Sequence, residues 1–144
     1  MLDDLLDKAV RQRAAGAWYG SDVDLRVSRV DPDQRRVRYS YSVTGRELSC
    51  GCLDSGWLAT VVDNATDPLA CFVAGSTNTL STSLSVHTLE PVLVDTLLEI
   101  ECLVVAHRDR CVQATATFRD ARVPHVIYAT GAHTMVYRDA PPRL

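Results

Sequence analysis

Lysine is nearly missing from this chain. Of its 15 basic residues only Lys8 is a lysine, so almost every cation is a planar guanidinium that can grip a phosphate in a fork. A basic excess is missing too. The net charge of -3 and pI near 5.7 exclude a general nucleic-acid binder, and leave only local clusters, Arg35, Arg36 and Arg38 or Arg108 and Arg110, to meet a small anion. No apolar run approaches the roughly 20 residues needed to span a bilayer. The opening Met1-Leu2-Asp3-Asp4 is acidic and carries no apolar signal core, so no secretory signal is expected. The cysteines are few and unpatterned: Cys50, Cys52, Cys71, Cys102 and Cys111 make an odd number with no CxxC spacing. Cys50-Gly51-Cys52 is too tight for a usual zinc knuckle, and Cys102 and Cys111 lie in strand-like runs where thiols act as small apolar fillers. These absences lead us to expect no metal and a reducing compartment such as the cytoplasm. There is no Gly-x-Ser-x-Gly elbow, which disfavours a serine hydrolase, and no HExxH or phosphate-cradling glycine loop.

What is present suits a single domain. The chain has 144 residues, 47% of them hydrophobic and 23% charged, enough for a proper core and against disorder. Leu2, Leu5, Leu6, Ala9 and Val10 share one face of a predicted helix over residues 2–15. Val23, Leu25 and Val27 alternate with polar residues, Asp31-Pro32-Asp33-Gln34 is a turn, and Val37, Tyr39 and Tyr41 alternate again, which reads as a hairpin. After a connector over 44–54, the stretch Cys52 to Gly75 has helical apolar spacing, with Asp54 or Ser55 as N-cap. Pro68 removes a helical hydrogen bond, and Asp67 before it can cap a second short piece, so a break or kink is expected near Thr66-Asp67. Beyond Gly75 the pattern is sheet. Leu80, Thr82, Leu84 and Val86 face one way; Ser81, Ser83, Ser85 and His87 face the other. Leu98 to Val104, Val112 to Phe118 and Val126 to Tyr137 supply three more strands, with turns at His107–Arg110 and Asp120–Pro124. One helix on one antiparallel sheet is an α+β design.

Asp63 stands out, because it sits at the edge of the helix's apolar arc, near Ala59 and Ala70. A carboxylate there costs solvation unless something offsets it. Such an edge is where a base can touch both water and an apolar chain. The bland alternative is that Asp63 caps something or pairs with an arginine.

The run Gly56-Trp57-Leu58-Ala59-Thr60-Val61-Val62-Asp63-Asn64 resembles the central-helix signature of hotdog-fold acyl-CoA thioesterases of the phenylacetate-degradation type. Those carry His-Gly-Gly, a short apolar stretch and then a catalytic acid; the spacing from Gly56 to Asp63 matches. The strand Thr79 to Thr88 followed by Leu89-Glu90-Pro91 is also similar, and the likeness extends over about Gly51 to Tyr137. The resemblance implies one hotdog domain over 1–144, with its core at about 22–138, a sheet wrapped round a long central helix. It implies acyl-CoA as partner, with coenzyme A entering as part of the substrate and no separate cofactor. It further implies a homodimer or dimer of dimers with sites at the subunit seam.

By the same resemblance Asp63 is the general base or nucleophile, Ser81 orients water, and Arg108 and Arg110 hold the phosphates of coenzyme A. Backbone N–H groups at Ser55, Gly56 and Trp57 begin the helix with no preceding carbonyl, so they can polarise a thioester carbonyl. Asp54, Trp57 and Asn64, which flank this start and the acid, are candidates for substrate contact. Two departures are plain: Asp54 and Ser55 stand where the family has histidine and the first glycine, and no asparagine lies near Leu48. A catalytically silent acyl-CoA-binding or partner-binding hotdog protein is therefore the alternative. A hotdog dehydratase would want a histidine beside the acid, and none lies in this helix. His125 and His133 have no partner that the sequence identifies and are expected to be structural.

Overall fold

The long helix α1 spans Ser55–Ala74 because both its ends and its stripe agree. Leu58, Val61, Val62, Ala65, Leu69 and Ala70 are all buried, at the three- and four-residue spacing that lines one helical face. Gly75 stops it in the left-handed conformation, φ 64°, while Ser76 N–H donates to Cys71 O and Gly75 N–H to Phe72 O, a Schellman ending that glycine adopts without Cβ strain. The expected break at Thr66-Asp67 does not occur, since α1 runs unbroken through Pro68. Tyr39 supports this turn from the sheet: its hydroxyl donates to Ala65 O at 3.0 Å, next to the Asn64 carbonyl that a proline four residues on cannot serve. Asp67 caps nothing. It is buried and accepts from Thr79 Oγ1 at 2.5 Å and from the Cys71 thiol at 3.3 Å.

The computed structural model describes residues 23–76 and 78–138; the helix expected over 2–15 lies outside the described residues. Ahead of α1 come β1 (Arg26–Asp31) and β2 (Arg36–Ser42), a 3-10 turn at Gly45–Glu47, and a two-residue-looped hairpin of β3 (Leu48–Ser49) and β4 (Cys52–Leu53). After it come β5 (Thr79–Thr88), β6 (Leu97–Arg108), β7 (Cys111–Asp120) and β8 (Ile127–Tyr137). The expected hairpin is β1–β2, although β1 begins at Arg26, beyond Val23 and Leu25. Six strands form one antiparallel sheet in the order β1-β2-β6-β7-β8-β5. Its inner face is the alternation the sequence shows: Val37, Tyr39 and Tyr41; Leu98, Ile100 and Cys102; Val112, Ala114, Ala116 and Phe118. Helix α1 lies across that face against β5 to β8. This is the hotdog architecture, an antiparallel sheet curled round a central helix.

Two details set the position of the helix. Gly131 on β8 lies directly under it: a Cβ there would come within 2.6 Å of Val62 Cγ2, so only glycine admits this approach. On β5 the register with β8 shifts between Ser81 and Ser83, leaving Thr82 as a bulge. Directly opposed residues share a face. Ser81 opposes the buried Met135, whereas Leu84 opposes His133 and Val86 opposes Gly131. Thr79 and Ser81 therefore face the helix together with Leu84 and Val86. The strict alternation expected for β5, with Ser81 on the side of Ser83, Ser85 and His87, is corrected by that one extra residue.

Candidate active site

Three elements converge beside the middle of α1. The helix brings Asp63 and Thr66, β5 brings Ser81, and β8 brings His133. Ser81 Oγ lies 3.3 Å from Asp63 Oδ1 and 2.8 Å from His133 Nε2, and that nitrogen is 3.6 Å from Asp63 Oδ1. On its other side His133 Nδ1 is 2.7 Å from Thr66 Oγ1. The Asp63 side chain remains 33% exposed and that of His133 is fully buried. One wall of the cluster is thus dry and the other open.

Hydrogen-bond supply assigns the ring. Thr66 spends its only hydrogen on Val62 O at 2.8 Å, so its oxygen accepts from His133 Nδ1–H. That leaves Nε2 facing Ser81. With the ring neutral, Nε2 accepts the Ser81 hydrogen; with the ring protonated, Nε2–H donates to Ser81 and the serine hydrogen turns to Asp63. The serine thus couples acid and histidine in either state.

His133 corrects the expectation that it lacked a partner. Its signal was its position: it occupies an inner place in the alternation Ala129, Gly131, His133, Met135, where an imidazole must find hydrogen bonds. The histidine missing from the helix beside Asp63 is supplied from a strand about 70 residues on.

The helix start differs from expectation as well. Asp54 is the N-cap, and its Oδ1 accepts from Gly56 N–H at 2.9 Å and Trp57 N–H at 3.1 Å. Two of the three amides expected to stand open are therefore occupied by the chain's own carboxylate. Trp57 turns its indole N–H to Tyr41 Oη at 2.7 Å, and Tyr41 in turn donates to Glu47 Oε1 at 2.9 Å. Burial pushes the Tyr41 hydroxyl well up, so it stays protonated. Burial also raises the Glu47 carboxyl, but the hydrogen bonds from Thr44 and Tyr41 outweigh it and leave Glu47 below the usual carboxylate value. This network ties the connector to the helix start. Asn64 donates to Thr60 O within α1 at 2.8 Å.

Arg108 and Arg110 do sit at the β6–β7 tip, where Arg108 is highly exposed beside Asp109. The tip adjoins the start of β5 through Cys111, Val136 and Leu80, at the C-terminal end of α1. Within one chain it is remote from Asp54 and Trp57. In the other basic cluster, Arg38 is held by Glu101 at 2.7 Å and Arg36 approaches the same carboxylate at 3.7 Å. Among the described residues no group of three or more His, Cys, Asp or Glu could hold a metal, and no helix is long and apolar enough to cross a membrane.

No family model and no curated protein matches the chain. Solved structures do. A phenylacetic acid degradation-related protein from Ralstonia eutropha superposes with a TM-score of 0.75 at 16% identity, over 92% of this chain and 98% of its own. Zebrafish thioesterase superfamily member 2 gives 0.79 at 16%, over 91% and 94%. An acyl-CoA hydrolase from Staphylococcus aureus, solved with butyryl coenzyme A and coenzyme A, gives 0.68 at 18%, over 74% and 68%. At such identities the likeness establishes the fold: the chain is a hotdog protein.

Proposed function

We propose that the chain hydrolyses acyl-CoA thioesters to the free acid and coenzyme A, with Asp63 as general base. The observation that carries this reading is the convergence of Asp63, Ser81 and His133 on the open side of the helix. Asp63 Oδ1 and Ser81 Oγ stand 3.3 Å apart, close enough for one water to touch both. In the reaction that water's oxygen bonds to the thioester carbon while its proton passes to Asp63. The tetrahedral intermediate then collapses, the carbon–sulfur bond breaks, and the leaving coenzyme A sulfur takes up the proton that Asp63 accepted, which restores the carboxylate. Ser81 orients the water and His133 holds Ser81. The acyl-CoA hydrolase from Staphylococcus aureus, crystallised with butyryl coenzyme A, supports the substrate class.

The site borders an open edge. Strand β5 ends the sheet, with Leu80 and Leu84 exposed along it. A second copy pairing there would close the cleft, satisfy the edge and bring a further set of residues, including arginines, to the acyl-CoA. Light scattering after size exclusion tests this; a strict monomer contradicts it.

The catalytic assignment is tested by giving purified protein a panel of acyl-CoAs while free thiol is followed. Asp63→Asn is expected to lower turnover by about 10²- to 10⁴-fold and Ser81→Ala by less. Turnover that survives Asp63→Asn removes the assignment. Loss of enoyl-CoA absorbance without thiol release would instead indicate a dehydratase. One observation favours the silent, acyl-CoA-binding reading: the Asp54 carboxylate occupies donors that a thioester oxygen would use.

A further inference from the structure

We infer that Asp54 is a blocking side chain: its carboxylate occupies the anion position at the head of α1, and an acyl-CoA carbonyl must displace it before reacting. This rests on the hydrolase reading and on a paired second copy: Gly56 lies seven residues, about 10 Å, along α1 from Asp63, so a carbonyl held at one copy's helix start is attacked by water on the other copy's Asp63. A growing oxyanion would seek the amides of Gly56 and Trp57, and one carboxylate oxygen already accepts from both, at 2.9 and 3.1 Å. That oxygen sits directly over Gly56, since a Cβ there would lie 3.0 Å from it. An ionised carboxylate left nearby would also repel the oxyanion.

Displacement needs only a side-chain rotation. The backbone at Asp54 is clamped, with Asp54 N–H on Glu47 O at 2.8 Å and Leu53 N–H on Val92 O at 2.7 Å. The Asp54 side chain is exposed and can turn into solvent. The chain is therefore a restrained hydrolase, in which part of the substrate's binding energy is spent on opening the helix start.

The test compares the full chain with Asp54→Gly, because glycine is well tolerated at an N-cap and keeps the helix folded. Thiol release is followed for both, and for each combined with Asp63→Asn. In parallel, the Gly56 and Trp57 amide resonances are followed as a coenzyme A ketone, with methylene in place of the thioester sulfur, is added. Asp54→Gly is expected to raise thiol release at least about five-fold, the factor equivalent to a typical N-cap interaction. The gain should vanish with Asp63→Asn, and the two amides should shift more in the variant than in the parent chain. A parent chain that turns over as fast as Asp54→Gly overturns this inference and leaves the hydrolase reading standing. Absence of thiol release from both chains overturns the hydrolase reading, and the amides then decide alone. Shifts confined to the variant support a displaced carboxylate; equal shifts, or none in either, refute it.

Discussion

Replacing Gly131 with alanine tests how closely helix position and site geometry are coupled. The added methyl would lie 2.6 Å from Val62 Cγ2 and 2.9 Å from Cγ1, about 0.8 Å short of ordinary contact at 3.4 Å. Val62 cannot swing aside, because a valine in a helix has one strongly preferred rotamer. The helix must lift or the strand must sink, and overpacking of this kind costs about 1–3 kcal/mol. The same shift moves Asp63, the next residue, away from Ser81, and Thr66 away from His133. Misplacement near 1 Å can cost about 10²-fold in rate. Urea unfolding and thiol release on one preparation measure both effects. Val62→Ala removes both clashing methyls, so in a double-mutant cycle it should recover most of the loss that Gly131→Ala causes. A Gly131→Ala protein with an unchanged unfolding midpoint, or a loss that Val62→Ala does not relieve, would refute the coupling.

Deleting Thr82, the one extra residue of the bulge, should leave a regular ladder in which Ser81 stays opposite Met135 and still faces the helix, so turnover should stay well above that of Ser81→Ala; a deletion variant as impaired as Ser81→Ala would contradict this register. Glu47 gives a pH prediction. Its folded carboxyl lies below the usual value, because hydrogen bonds from Thr44 and Tyr41 outweigh its burial. Its contribution is therefore full above the ordinary glutamate pKa of about 4.3 and is lost as pH falls through the lower, folded value. Urea titrations should find Glu47→Gln destabilised at neutral pH and the gap to the parent chain narrowing on acidification; a constant gap would contradict the assignment.

Most of the sheet and helix was legible because a single periodicity decides each. The inner faces of β2, β6 and β7 follow from strict alternation, and α1 from an apolar stripe with a capping aspartate before it and a glycine after it. The expected break at Pro68 failed because the cost of a missing hydrogen bond was judged locally. Contacts from the sheet, Tyr39 on Ala65 and Thr79 on Asp67, support that turn. Ser81 was singled out for its resemblance to a family serine, yet placed on the wrong side, because a bulge is one unpaired residue with no composition of its own.

Sequence alone determined which residues must be inside and where Asp63 sits on its helix, since burial and periodicity are local properties of the chain. Tertiary structure decided what meets Asp63. It brought His133 and Ser81 to it from strands separated by about 50 residues, and it turned the Asp54 carboxylate onto the amides of Gly56 and Trp57. Those encounters depend on register and on side-chain direction, which exist only once the strands have paired and the helix has settled on Gly131.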